Sequence, residues 1–118
     1  MKNICVIGSL NIDLVATVER FPKPGETITG RDFSTFTGGK GANQAVALGR
    51  LGANVEMIGK VGDDFYGKKY LKVLEDNRVK TRGINIEPGV STGVALIEVE
   101  SSGDNRIVVI PGANGKVD

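Results

Sequence analysis

The stretch Thr37–Ala53, "TGGKGANQAVALGRLGA", sets three glycines around Lys40 and then runs into small apolar residues. Ala42, Ala45, Val46 and Gly49 recur at helical spacing, and Gly52 is placed to end the helix. The next residues, "NVEMIGKVG" (54–62), read as a strand. A glycine turn, a helix of small residues and a strand predict an α/β layer, with the helix packed close on a parallel sheet.

A lysine among glycines invites a phosphate reading. A P-loop needs G-x-x-x-x-G-K-[ST], but Gly41 follows Lys40 and Ser34 stands five before Gly39. A dinucleotide fingerprint needs a third glycine where Gln44 stands. What remains is a glycine turn at a helix N-terminus, whose backbone N–H groups donate to ligand oxygens. Lys40 adds a charged donor and Asn43 an amide. This chemistry suits a polyhydroxyl ligand as well as an anion, and a plain tight turn is equally open. A second polar cluster lies in "GSLNIDL" (8–14), just after the predicted strand "NICVIG" (3–8). Asn11 and Asp13 are two apart and share one side of an extended chain. They suit adjacent sugar hydroxyls, or an Asx-type turn between strands.

Further out, "DDFYGKKYLKVLEDN" (63–77) reads as an amphipathic helix. Tyr66, Tyr70, Leu71 and Leu74 lie on one face, lysines on the other, and Asp63 or Asp64 is the cap. "DLVATVERF" (13–21) and "KTRGINIE" (80–87) read as strands. "TITGRDFSTF" (27–36) reads as a strand kinked at Gly30. "TGVALIEVE" (92–100) and "RIVVI" (106–110), joined by "SGDN", predict a hairpin. "PGANGKVD" (111–118) has no closing element. The β-rich pieces do not fit the α/β alternation and predict a second small sheet. Two helices cannot cover both faces of the parallel sheet, so an apolar edge and face stay open to self-association or a partner.

Composition narrows the function. The chain has 118 residues, 40% of them hydrophobic and 25% charged, which fits one small globular domain. A net charge of +1 makes no electrostatic case for nucleic acid or an anionic membrane. With no histidine, His-based catalysis and His metal sites are excluded. Cys5, the single cysteine, excludes an intramolecular disulfide and reads as a small core residue. No signal peptide or membrane span is visible, so a cytoplasmic protein is expected.

"GSLNID", "FPKPGETITG", "TGGKGANQAVALGRLGA", "IGKVGDDFYG", "STGVALI" and "PGAN" together resemble the ribokinase family of sugar kinases, in order and spacing over the whole chain. The family also holds fructokinases and adenosine kinases. The resemblance implies a partial Rossmann-like α/β fold (residues 1–118), with a small β-sheet lid whose strands lie within about 13–36 and 92–110. It implies that Asn11, Asp13, Gly39 (through its backbone), Lys40 and Asn43 bind D-ribose or a related sugar, with Ala95 and Ile97 as apolar wall. The activity implied is transfer of the ATP γ-phosphoryl to the sugar 5-hydroxyl, with Mg²⁺ and a monovalent cation such as potassium. The family's catalytic base and anion hole come from motifs like "DTxGAGD" and "NxxE", which are absent here. "VGDDFYG" (61–67) looks superficially like the catalytic segment, but no "GAG" precedes it. The resemblance therefore implies an N-terminal sugar-binding and lid segment, inactive alone and binding no ATP or Mg²⁺ by itself. It also implies pairing through lids or exposed sheet with a second copy, or with a complementary C-terminal half. A segment of a fructokinase-like or adenosine-kinase-like enzyme is the alternative.

Overall fold

The computed structural model describes residues 3–117. Two sheets share the chain. The first holds β1 (Asn3–Ile7), β4 (Asn54–Gly62) and β5 (Val79–Glu87), all parallel, in the order β1-β4-β5. The second holds β2 (Asn11–Val18), β3 (Asp32–Gly38), β6 (Gly93–Glu100) and β7 (Asn105–Ile110), in the order β3-β2-β6-β7. Helices α1 (Lys40–Arg50) and α2 (Phe65–Asp76) belong to the first sheet, and a 3₁₀ turn spans Gly112–Lys116. The expected parallel layer, the second sheet and the β6–β7 hairpin are all present. The pairing of β2 with β6 is parallel, because the chain leaves the first sheet in the same direction both times.

The sequence explains the core. Val55, Met57 and Val61 alternate along β4 toward one face, where they meet Ala42 and Ala45 of α1 and Tyr70 and Leu74 of α2. Small residues let α1 come close: a methyl group on Gly49 would collide with the Asn77 carbonyl oxygen. Gly52, at φ 87°, ends α1; its N–H donates to Gly49 O and that of Ala53 to Leu48 O. Both helices lie on this one face, as their shared core shows.

Several expectations need correction. Cys5 is exposed, not a core residue. Alternation along β1 turns Ile4 and Val6 to the helices and Cys5 and Ile7 to the other face, which no helix among the described residues covers; Ile7 is 68% exposed. β1 is an edge strand of its sheet. The strand around Gly30 begins only at Asp32, and the chain before it is irregular. "PGANGKVD" does carry a closing element, the 3₁₀ turn, though Asp118 lies outside the described residues. No helix among the described residues is long and apolar enough to cross a membrane.

The second sheet is tied to the first by a buried polar knot. Thr92 is 0% exposed. Its hydroxyl donates to Asp64 Oδ1 at 2.6 Å and accepts from Gly62 N at 2.9 Å, while its N–H donates to Asp64 Oδ2 at 2.9 Å. Asp64, not Asp63, caps α2, accepting from Gly67 N at 2.8 Å. Burial pushes the Asp64 carboxyl up, but the bonds from Thr92 and Gly67 outweigh burial and hold it below its ordinary 3.8. The unfolded chain therefore takes up this proton first on acidification. The knot's contribution is complete above pH 3.8 and is lost as pH falls through the lower folded value. Urea unfolding of wild type should show that loss in acid, and Asp64→Asn should flatten it. Equal acid sensitivity in both would contradict the account. At neutral pH, Thr92→Val should remove about 1–3 kcal/mol, because it strands the Gly62 N–H and an Asp64 oxygen.

Candidate functional site

All four strands of the second sheet meet the first sheet at one end. Asn11, the first residue of β2, pairs with Gly38 at the end of β3 on one side and with Gly93 at the start of β6 on the other. Val94, beside Ile12, pairs with Ile110, so β7 ends one residue along from this row. Neither flanking glycine has room for a side chain. A Cβ on Gly38 would lie 2.7 Å from Asp13 Oδ2, and one on Gly93 would strike Asn11 Oδ1. The two polar side chains of β2 fill the space their neighbours leave.

Asn11 and Asp13 begin β2 rather than sitting in a loop after β1, and strand alternation puts both on one face. Asp13 pairs with Ala95 and Val15 with Ile97, so Ala95 and Ile97 share that face. Ala95 is buried and Ile97 half-buried. Burial raises the Asp13 carboxyl above its ordinary value. It accepts no hydrogen bond from any described residue. Tyr70 reaches under the row from α2, and its hydroxyl donates to Gly38 O. Burial first, and the charge of Asp13 second, push the Tyr70 hydroxyl up, so it stays a neutral donor.

The glycine loop continues from β3. Gly39 has φ 98°, a conformation that favours glycine, and a Cβ there would collide with Ser9 O. The start of α1 rests on the β1–β2 connection: a Cβ on Gly41 would lie 2.9 Å from Gly8 Cα. No side chain caps α1, in contrast to α2. This leaves its first-turn N–H groups without a side-chain acceptor, next to Ser9 and Asn11. Lys40 and Asn43 lie on this turn, both exposed. The structure thus brings Gly39 against the Ser9–Asn11 backbone and Asp13 against Gly38. Lys40 and Asn43 follow on the first turn of α1, and Ala95 and Ile97 lie beside Asp13 in the sheet.

Asn114, which no motif spacing marks as a site residue, reaches it too. Its Oδ1 accepts from Leu10 N at 2.9 Å, and its Nδ2 donates to Asn11 Oδ1 at 2.7 Å. The signal available was its place in "PGAN" after the hairpin, but spacing alone does not show where that segment returns. Thr92 reads as the first residue of the strand 92–100, and spacing alone does not show that it meets Asp64, 28 residues earlier. A concavity of about 590 Å³ lined by Glu19, Arg20, Ile28, Thr29 and Ser101 lies at the other end of β2. It holds none of these groups. An unbonded carboxylate beside an amide, an open helix N-terminus and an apolar wall can together take hydroxyls from one side of a small polar ligand.

Comparisons with known proteins bear on the family and the fold. The chain is 53% identical to the ribokinase of Bacillus subtilis (strain 168) over 117 residues, which are 99% of this chain and 40% of that protein. The structure of Arabidopsis thaliana ribokinase complexed with ribose and ATP matches with a TM-score of 0.90 at 36% identity, over 94% of this chain and 36% of that one. The nucleoside kinase of Methanocaldococcus jannaschii, described as an archaeal member of the ribokinase family, matches at 27% identity. Its TM-score is 0.87, over 96% of this chain and 38% of that one. The chain spans about 40% of the length of the first curated relative. The family model for pfkB family carbohydrate kinases matches residues 1–118, and the chain belongs to that family.

Proposed function

We propose that this chain is the N-terminal sugar-binding and lid segment of a ribokinase. The complete enzyme would transfer the ATP γ-phosphoryl to the 5-hydroxyl of D-ribose. The observation that carries the reading is the unbonded Asp13 carboxylate, held against Gly38 beside the uncapped start of α1. Asp13 accepts from sugar hydroxyls, and the Asn11 amide, the Gly39 N–H, Lys40 and Asn43 donate to the sugar oxygens. Ala95 and Ile97 form the wall that excludes water, and the four-stranded sheet is the lid over the sugar.

The nucleotide does not fit this set of residues. The open α1 N-terminus lies beside Asp13, whose charge opposes a polyphosphate. Among the described residues there is no group of three or more Asp, Glu, Cys or His that could hold a cation. We assign none of them to ATP, Mg²⁺ or potassium. In this reading those groups and the catalytic base belong to a complementary C-terminal half, and the chain alone is inactive. A nucleoside or another sugar is the alternative ligand, favoured by the likeness to the archaeal nucleoside kinase.

A coupled ATP assay tests this. D-ribose with the chain alone should give no turnover. Adding the remaining C-terminal portion of the Bacillus subtilis ribokinase should restore it. Asp13→Asn should then lower kcat/KM about 10- to 100-fold, matching the roughly 1.5–3 kcal/mol of a hydrogen bond to a charged group. Turnover by the chain alone would refute the division of roles. Activity with adenosine and none with D-ribose would favour the alternative.

The lid reading extends to assembly. Phe33 and Phe36 of β3, Leu96 of β6 and Ile107 to Ile110 of β7 are all exposed. A lid with apolar groups on both faces pairs with a second copy or with the complementary half. Light scattering at tens of micromolar, a scale set by interface affinities of about micromolar, should report a mass above the monomer. A strict monomer would count against pairing between copies. A cytoplasmic setting belongs to this reading as well.

A further inference from the structure

Asn114 sits in the 3₁₀ turn and reaches back 104 residues along the chain to the start of β2. The turn itself is anchored, since Ala113 is buried and its N–H donates to Ser91 O at 2.8 Å. Asn114 Oδ1 accepts from Leu10 N at 2.9 Å, and Asn114 Nδ2 donates to Leu10 O at 3.1 Å. Both partners are backbone groups of one residue, so the Asn114 amide fits only one way round. Reversed, it would set donor against donor and acceptor against acceptor.

This fixes a second amide. The remaining Nδ2 hydrogen of Asn114 points to the Asn11 side chain at 2.7 Å, where only an oxygen can accept. Asn11 Oδ1 is therefore committed to Asn114, and Asn11 Nδ2 has no acceptor among the described residues. Gly93 makes the contact sterically open, because a Cβ there would strike both Asn114 Nδ2 and Asn11 Oδ1.

We infer that Asn114 is a positioning residue that sets which end of the Asn11 amide is offered to a ligand. β2 then presents a donor at Asn11 and an acceptor at Asp13, a polarity that would be undefined if Asn11 turned freely. The consequence for a sugar rests on the reading above. A hydroxyl at Asn11 is bound through its oxygen lone pair, and its neighbour at Asp13 through its hydrogen. Asn114 touches no ligand itself.

The inference is tested on the chain as it is, without sugar, so it stands or falls apart from the sugar reading. In the ¹⁵N-labelled protein, both side-chain amide protons of Asn114 are bonded and those of Asn11 are not. The Asn114 protons should exchange with solvent at least roughly tenfold more slowly than the Asn11 protons. Asn114→Asp keeps the acceptor for Leu10 N but removes both donors, so the Asn11 side-chain amide signals should shift or broaden as that amide reorients. Equal or reversed protection in the wild type overturns the inference, as does an Asn11 signal that Asn114→Asp leaves in place. If Asn114→Asp does not fold, the wild-type exchange pattern decides alone.

Discussion

The two sheets are joined where glycines let backbone and polar side chains pack too closely for a Cβ. Asn11 lies between Gly38 and Gly93, Gly39 rests on Ser9, and Gly41 on Gly8. Each contact leaves no room for a Cβ. Together they bring the start of β2, the end of β3, the start of β6 and the first turn of α1 to one place. Everything the site offers follows from that row. Asn11 and Asp13 project where Gly38 and Gly93 leave space, and α1 begins beside them with its N–H groups uncapped. The polar ties of Thr92 and Asn114 then hold the two later returns of the chain against the same row.

Two aspartates show how environment separates scaffold from site. Asp64 accepts from Thr92 and Gly67, is held below its ordinary value, and caps α2. Its bonding capacity is spent within the protein. Asp13 is partly desolvated, is raised, and has no donor among the described residues. A carboxylate that is partly desolvated without partners is poised to gain them from a ligand. The same contrast holds for the helices: α2 is capped by Asp64, and α1 by no side chain.

Much of this was legible in the sequence, because its signals are local. The small residues of α1, the apolar face of α2 and the β6–β7 hairpin carry their periods within a few residues. The spacing of Asn11 and Asp13 put them on one face, and the glycines around Lys40 marked close approach. What was not legible depends on partners distant in sequence. Cys5 sits in an apolar run, yet its side of β1 has no helix over it among the described residues, and it is exposed. Gly30 looked like a kink within a strand, but the strand needs β2 beside it and pairs only from Asp32. Thr92 and Asn114 meet Asp64 and Leu10 across long loops, and no spacing rule encodes such pairs.

The central claim is that the row around Asn11 forms one sugar site, and amide shift mapping with D-ribose tests it most directly. In the ¹⁵N-labelled chain at millimolar sugar, the account predicts shifts concentrated at Asn11, Asp13, Gly39, Lys40 and Asn43, with weaker ones at Ala95 and Ile97. Shifts confined to the far end of β2, around Glu19, Arg20 and Ser101, would contradict it. So would a spectrum that D-ribose leaves unchanged.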